Sequence, residues 1–286
     1  MTAAASSRRS GAGLTPEGIL RAHLREMPFH RVLMRSIEAQ ILSRVPLPRP
    51  VLDVGCGDGH FASVLFPGGT DVGLDPGLSD AREAGRRGVY RMVVGSDSGA
   101  MPFADASFAS VLSNCVFEHI PEIEKTIGEI ARVLRPGGTF ACTLISASFS
   151  RLLTDERAWA RLGLRRLHRA YIDWFNRKSI HYHFDPPPTW AERFEAAGLR
   201  VVRWRYYVSP AAALVFHRAH YVSLPHLVAR KLTGRWVPVP ALADNAFWRW
   251  RYRRFVDEPE PADGSCIAFV CEKGPRAGND SEAKIP

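Results

Sequence analysis

Short apolar runs and stretches of helical periodicity alternate between residues 51 and 145. Five apolar runs, at Val51–Val54, 71–75, Tyr90–Val94, a run ending at Asn114, and 139–145, are too short for helices and predict buried strands. Between the last two, Ile123, Ile127, Ile130 and Leu134 recur at helical spacing and give one buried face. Pro121 suits the first helical position, Glu122 and Glu124 the first turn, and Arg132 and Arg135 the last. Pro136-Gly137-Gly138 then stops that helix. Upstream, residues 17–44 place Leu20, Leu24, Val32, Leu33, Ile37 and Ile41 at helical positions, broken near Pro28. Downstream, residues 149–178 read as a helix, and Thr189 as the N-cap of another that Gly198 ends. Residues 199–208 and 266–271 predict two further strands. Strands alternating with helices predict an α/β fold.

The first strand carries Asp53 and breaks into Gly55-Cys56-Gly57-Asp58-Gly59. Glycines let the backbone turn sharply and come close to a small molecule. The helix expected over 60–66 offers unpaired N–H groups at its start. A dinucleotide fingerprint has its third glycine three residues after the second, and here the gap is two. Asp75 follows Asp53 by 22 residues, where doubly wound sheets hold a ribose. A carboxylate accepts both hydrogen bonds of the diol, although a turn residue ahead of Pro76 is the plainer alternative. Ligands of such sheets lie outside the carboxyl ends of the strands, so Asn114, Cys115, Glu118 and His119 fall near the reaction centre. His119 suits a general base because imidazole titrates near working pH. Packing against a ligand is the other role open to it.

The glycine loop with its leading acid, Asp75, the segment from Asp97 to Phe103, Glu118-His119-Ile120, and the run from Ala131 to Gly138 together cover about residues 50–146. Jointly they resemble the class I methyltransferases that use S-adenosylmethionine, of the type 11, quinone-biosynthesis-like kind. The resemblance implies a Rossmann-like seven-stranded sheet, mostly parallel with an antiparallel last strand, and helices on both faces. It implies S-adenosyl-L-methionine as cofactor, held by Asp53, Gly55, Cys56, Gly57 and Gly59, by Asp75 and Pro76, by Asp97 and Ser98, and by Asn114 and Cys115. In that family the acid at the position of Asp97 takes the adenine amino group. Two residues depart from the family pattern, Met101 in place of leucine and Ala109 in place of an acid. A larger departure is the stretch of about 55 residues where relatives join their last two strands by a short loop.

Composition changes this picture little. The chain has 286 residues, 46% of them hydrophobic, as a packed globular protein does. Its five cysteines are odd in number and scattered, which excludes a disulfide framework and points to a reducing compartment. No apolar run approaches the ~18 residues that span a bilayer.

Charge changes it more. Residues 1–150 hold 15 Lys/Arg and 15 Asp/Glu, whereas residues 151–286 hold 23 and 14 and carry the whole net charge of +9. All seven tryptophans also follow residue 150. Residues 217–254 combine eight Lys/Arg and one acid with Leu224, Leu227, Val228, Trp236, Trp248 and Trp250. Such a segment suits a membrane interface, an RNA surface, or a substrate cap with a charged outer face.

The expected organisation is therefore a disordered leader (1–16), N-terminal helices over the active site (17–48) and a cofactor core (49–146). A lid insertion with strand six (147–210), a helical, basic, aromatic insertion (211–262), the last strand (263–274) and a tail (275–286) follow. The expected activity is methyl transfer to a small-molecule or lipid-linked acceptor in the cytoplasm, with peripheral contact to the inner face of a membrane through 211–262. RNA methylation and a non-catalytic binding scaffold are the alternatives; the neutral cofactor half weighs against RNA, and the intact loop and acids weigh against a scaffold. Glu118, His119, His181 and His183 are the expected substrate contacts, with His119 the expected base. His181 and His183 have no third ligand beside them, so no metal is expected.

Overall fold

The computed structural model describes residues 14–149, 151, 156–179 and 181–275. Seven strands form one sheet: β1 (Val51–Val54), β2 (Thr70–Leu74), β3 (Tyr90–Val94), β4 (Phe108–Asn114), β5 (Leu134–Ile145), β6 (Leu199–Tyr207) and β7 (Cys266–Lys273). Their order is β3-β2-β1-β4-β5-β7-β6. The first five pair in parallel, and β7 runs antiparallel to both neighbours, β5 and β6. The strand order reverses between β1 and β4, which is where such a sheet opens a crevice for a ligand.

Twelve α-helices are described: α1 (Pro16–Leu24), α2 (Phe29–Leu42), α3 (His60–Leu65), α4 (Leu78–Arg87), α5 (Ile123–Val133), α6 (Glu156–Arg161), α7 (Arg165–Ser179), α8 (Pro187–Ala196), α9 (Pro210–Val222), α10 (Leu224–Thr233), α11 (Pro240–Ala243) and α12 (Ala246–Val256). On one face of the sheet, Ile123, Ile127 and Ile130 of α5 pack with Trp190 and Phe194 of α8. On the other, Leu42, Leu65 and Ala84 of α2, α3 and α4 cover Val51 and Leu112. A separate core joins Leu20, Leu24, Val32, Leu33 and Ile37 of α1 and α2 to Ala212, Val215 and Phe216 of α9 and to Tyr252 and Phe255 of α12. Ile145 and Tyr207 belong to it, so the basic insertion folds back against the N-terminal helices at the ends of β5 and β6.

Three boundaries differ from expectation. β5 begins at Leu134 rather than at 139, because Leu134 is extended (ψ 141°) and pairs with Phe108. The Pro-Gly-Gly sequence is an irregular stretch within that strand, with Gly137 at φ 73° and a register shift opposite. Helix α8 starts at Pro187 with Pro186 as N-cap, so Thr189 lies inside it; proline costs no hydrogen bond at a first helical position. The helix expected over 149–178 is divided by Gly163, whose φ of 69° separates α6 from α7. Residues 1–13 of the expected leader and 276–286 of the tail lie outside the described residues.

Candidate active site

The glycine loop is built to leave one face of its backbone bare. Gly55 (φ 77°) and Gly59 (φ 76°) adopt left-handed conformations, and a Cβ at Gly55 would overlap the Val116 side chain. A Cβ at Gly57 (φ 52°) would meet nothing within 4 Å, so open space lies above the middle of the loop. Asp75, just past β2, holds the loop in place: its Oδ2 accepts from Gly57 N–H (2.8 Å) and its Oδ1 from Gly77 N–H (2.8 Å). Each oxygen keeps a lone pair for a further donor. Asp97 accepts from Gly99 N–H at 2.6 Å in the same manner, beyond β3.

Asp53 has a different position. It is buried, and Tyr90 O–H donates to it at 2.6 Å from the start of β3. Burial pushes its carboxyl up to about 6, partly offset by the tyrosine. The Tyr90 ring also lies within 3.3 Å of where a Gly59 Cβ would stand, so Asp53 and Tyr90 brace the loop from beneath. Cys56 is buried too. The Ser98 hydroxyl pairs with that of Thr126 at 2.9 Å.

Beyond β4 the structure holds a residue absent from the expected site. Glu38 of α2 is fully buried and meets four donors. Arg35 reaches it at 2.6 Å, Asn114 Nδ2 at 3.0 Å, Cys115 Sγ at 3.1 Å and the Tyr207 hydroxyl at 3.2 Å. Asn114 Oδ1 accepts from the Thr143 hydroxyl at 2.7 Å. The Asn114 and Cys115 side chains thus tie α2 to the sheet, and Cys115 takes φ 50° to do so. Arg35, like Arg31 a helix residue near the site, is committed to Glu38.

Glu118 is also buried, in the short 3-10 turn Phe117–His119, and its Oε2 has no hydrogen-bond partner among the described residues. Burial raises its carboxyl to about 7. Tyr182 N–H donates to the Glu118 carbonyl at 2.7 Å, which brings the 181–184 segment to this turn. His119, which is exposed, lies 4.9 Å ring to ring from His181. Burial, and then His119, lower the His181 imidazole to about 4. His183 stands apart from this pair: its Nε2–H donates to the Ile120 carbonyl at 2.9 Å, and its ring packs edge-on to Trp190. Beside the loop, a hollow of about 550 Å³ is bounded by Asp58, Ser79 and Asp80 on one side and by Arg230, Arg235 and Trp236 of the insertion on the other.

A parallel sheet reversing at β1/β4, a bare glycine loop and acids beyond β2 and β3 are the arrangement of the Rossmann-like class I methyltransferase fold. Residues 52–142 match the family described as methyltransferase domain. The chain is 35% identical over 119 residues to a malonyl-acyl-carrier-protein O-methyltransferase of Methylococcus capsulatus, covering 40% of this chain and 43% of that protein. It is 33% identical over 140 residues to a demethylmenaquinone methyltransferase of Symbiobacterium thermophilum, covering 44% and 52%. The chain thus spans about half the length of the curated relatives it matches. A solved Thermotoga maritima structure, a SAM-dependent methyltransferase described as a possible histamine N-methyltransferase, shares the fold at TM-score 0.50 and 17% identity, over 86% of this chain and 91% of that one.

Proposed function

We propose that this chain transfers a methyl group from S-adenosylmethionine to a small-molecule or lipid-linked acceptor. The observation that carries this reading is the open space over Gly57, framed by Asp75. Bound there, the cofactor supplies an electrophilic methyl carbon. Asp75 has lone pairs free for the ribose hydroxyls, and Asp97 for the adenine amino group. Gly55, Cys56, Gly57 and Gly59 offer backbone to the rest of the cofactor, as do Pro76, Ser98, Asn114 and Cys115. Asp53 acts through Tyr90, by fixing the loop.

The acceptor approaches from the side of Glu118, His119 and His181, and the helical insertion that follows β5, about residues 149–178, acts as a lid that excludes water and aligns the attack. An acceptor hydroxyl would give up a proton as it attacks. In this reading the exposed His119 takes it, and Glu118, raised to about 7, is a second proton acceptor above neutral pH. The finer reading places the reaction at a membrane surface reached through residues 211–262.

The test is isotopically methyl-labelled cofactor added with the protein to fractionated cell extract. Label entering lipid or small soluble metabolites is the expected result. Label confined to RNA would replace this acceptor class, and no transfer to any fraction would remove the activity.

A further inference from the structure

Helix α10 is the one helix of the insertion that contributes no buried residue. Its apolar residues Leu224, Leu227, Val228 and Leu232 follow the spacing i, i+3, i+4, i+8, which puts them in one stripe along the helix. All four are exposed, Leu224 by 57% and Leu232 by 80%. The helix is nevertheless held in place by its other side. His226 meets the Phe29 ring edge-on at 4.6 Å, and Arg230 stacks over Trp236 at 5.0 Å. An anchored helix showing solvent an aliphatic stripe with one lysine in it has a surface with no partner among the described residues.

We infer that α10 docks in the plane of an anionic membrane leaflet, its aliphatic stripe among the acyl chains. Charge selects this occupant. Residues 217–254 carry eight Lys/Arg and one acid, so a second copy of the chain would meet like charge, whereas anionic headgroups attract it. Lys231 lies within the stripe, one residue before Leu232 and four after Leu227. Its stem can follow the leucines while its ammonium reaches a lipid phosphate. RNA shares the phosphates but offers aliphatic side chains no apolar layer to enter. Ten residues make a helix of roughly 15 Å, half a bilayer core, so α10 lies along the surface rather than across it. This inference rests on the membrane-surface reading above and names the helix and lipid charge that serve it.

The test is flotation of the full chain with phosphatidylcholine vesicles, with and without phosphatidylglycerol, beside the variant Leu227→Glu with Leu232→Glu. Both sites are exposed, so the variant should keep the wild-type melting curve. Wild type should float with phosphatidylglycerol vesicles, less without them and less at high salt, and the variant's partitioning should fall by about tenfold or more. Wild type that fails to float, or a variant that floats equally, overturns the inference. So does a wild-type dimer that the variant lacks in sedimentation velocity, or RNA retention lost in the variant. Calorimetry with S-adenosylhomocysteine separates the two claims. Binding without flotation removes only the docking, and flotation without binding removes only the methyl-transfer reading.

Discussion

The cofactor half and the insertion are built on opposite terms. Around β1 and β2, backbone groups make the site: three left-handed glycines, and one aspartate gripping two N–H groups. The glycines there owe their role to backbone conformation, and Val116, Asp75 and Tyr90 press on them from other elements. The insertion uses side chains only, and similar side chains have opposite fates. Trp248 stacks on Phe29 at 4.2 Å, whereas Trp250, two residues along the same helix, is 73% exposed. A backbone motif declares its own role. An amphipathic helix declares a face, and only its neighbours decide whether that face is covered.

The sharpest way to break the contrast is Gly55→Val. The left-handed φ and the overlap with Val116 leave the new side chain no room, so cofactor affinity should fall by at least about 100-fold in calorimetry. Retained affinity would mean that the loop is not the cradle. Next, Glu38→Ala strands Arg35 in a buried site. A loss of about 3–5 kcal/mol is expected in urea unfolding, with Glu38→Gln recovering part of it.

Glu118 sets a pH dependence. Its folded carboxyl, at about 7, lies above the ordinary glutamate value of 4.5, so its favourable contribution is complete below pH 4.5 and is lost as pH rises through 7. The loss amounts to about 3 kcal/mol across that window. Asp53, raised to about 6, adds a slope of the same sign. Glu118→Gln should remove its own share, visible as a flatter plot of unfolding free energy against pH. The smallest effect belongs to the insertion's open face: Leu232→Ser should change unfolding free energy by less than about 0.5 kcal/mol. A larger change would mean that the stripe is packed within the chain.

These regions also differ in how far the sequence reveals them. The glycine loop, Asp75 and Asp97 were legible because their spacing is local and their chemistry follows from backbone geometry. The seven strands are legible from apolar runs, and the antiparallel last strand only from the family resemblance. Glu38 was not, since its donors besides Arg35 come from sequence positions 76, 77 and 169 residues away. A carboxylate on the buried face of an amphipathic helix, one residue after Ile37, is the signal that could have marked it. The nearness of His119 and His181 depends on a backbone bond between Tyr182 and Glu118, which no periodicity encodes. The start of β5 is masked in the sequence because Leu134 continues the helical spacing of α5 while pairing with Phe108 as a strand residue.

The central claim is that Asp75 and the glycines of the loop after β1 form a pocket for S-adenosylmethionine. Titrating that cofactor into the purified chain by calorimetry, beside Asp75→Ala, tests it most directly. One site per chain in the wild type, weakened by at least about tenfold in the variant, is the predicted result. A wild-type chain that takes up no cofactor, or a variant that binds it as tightly, would contradict it.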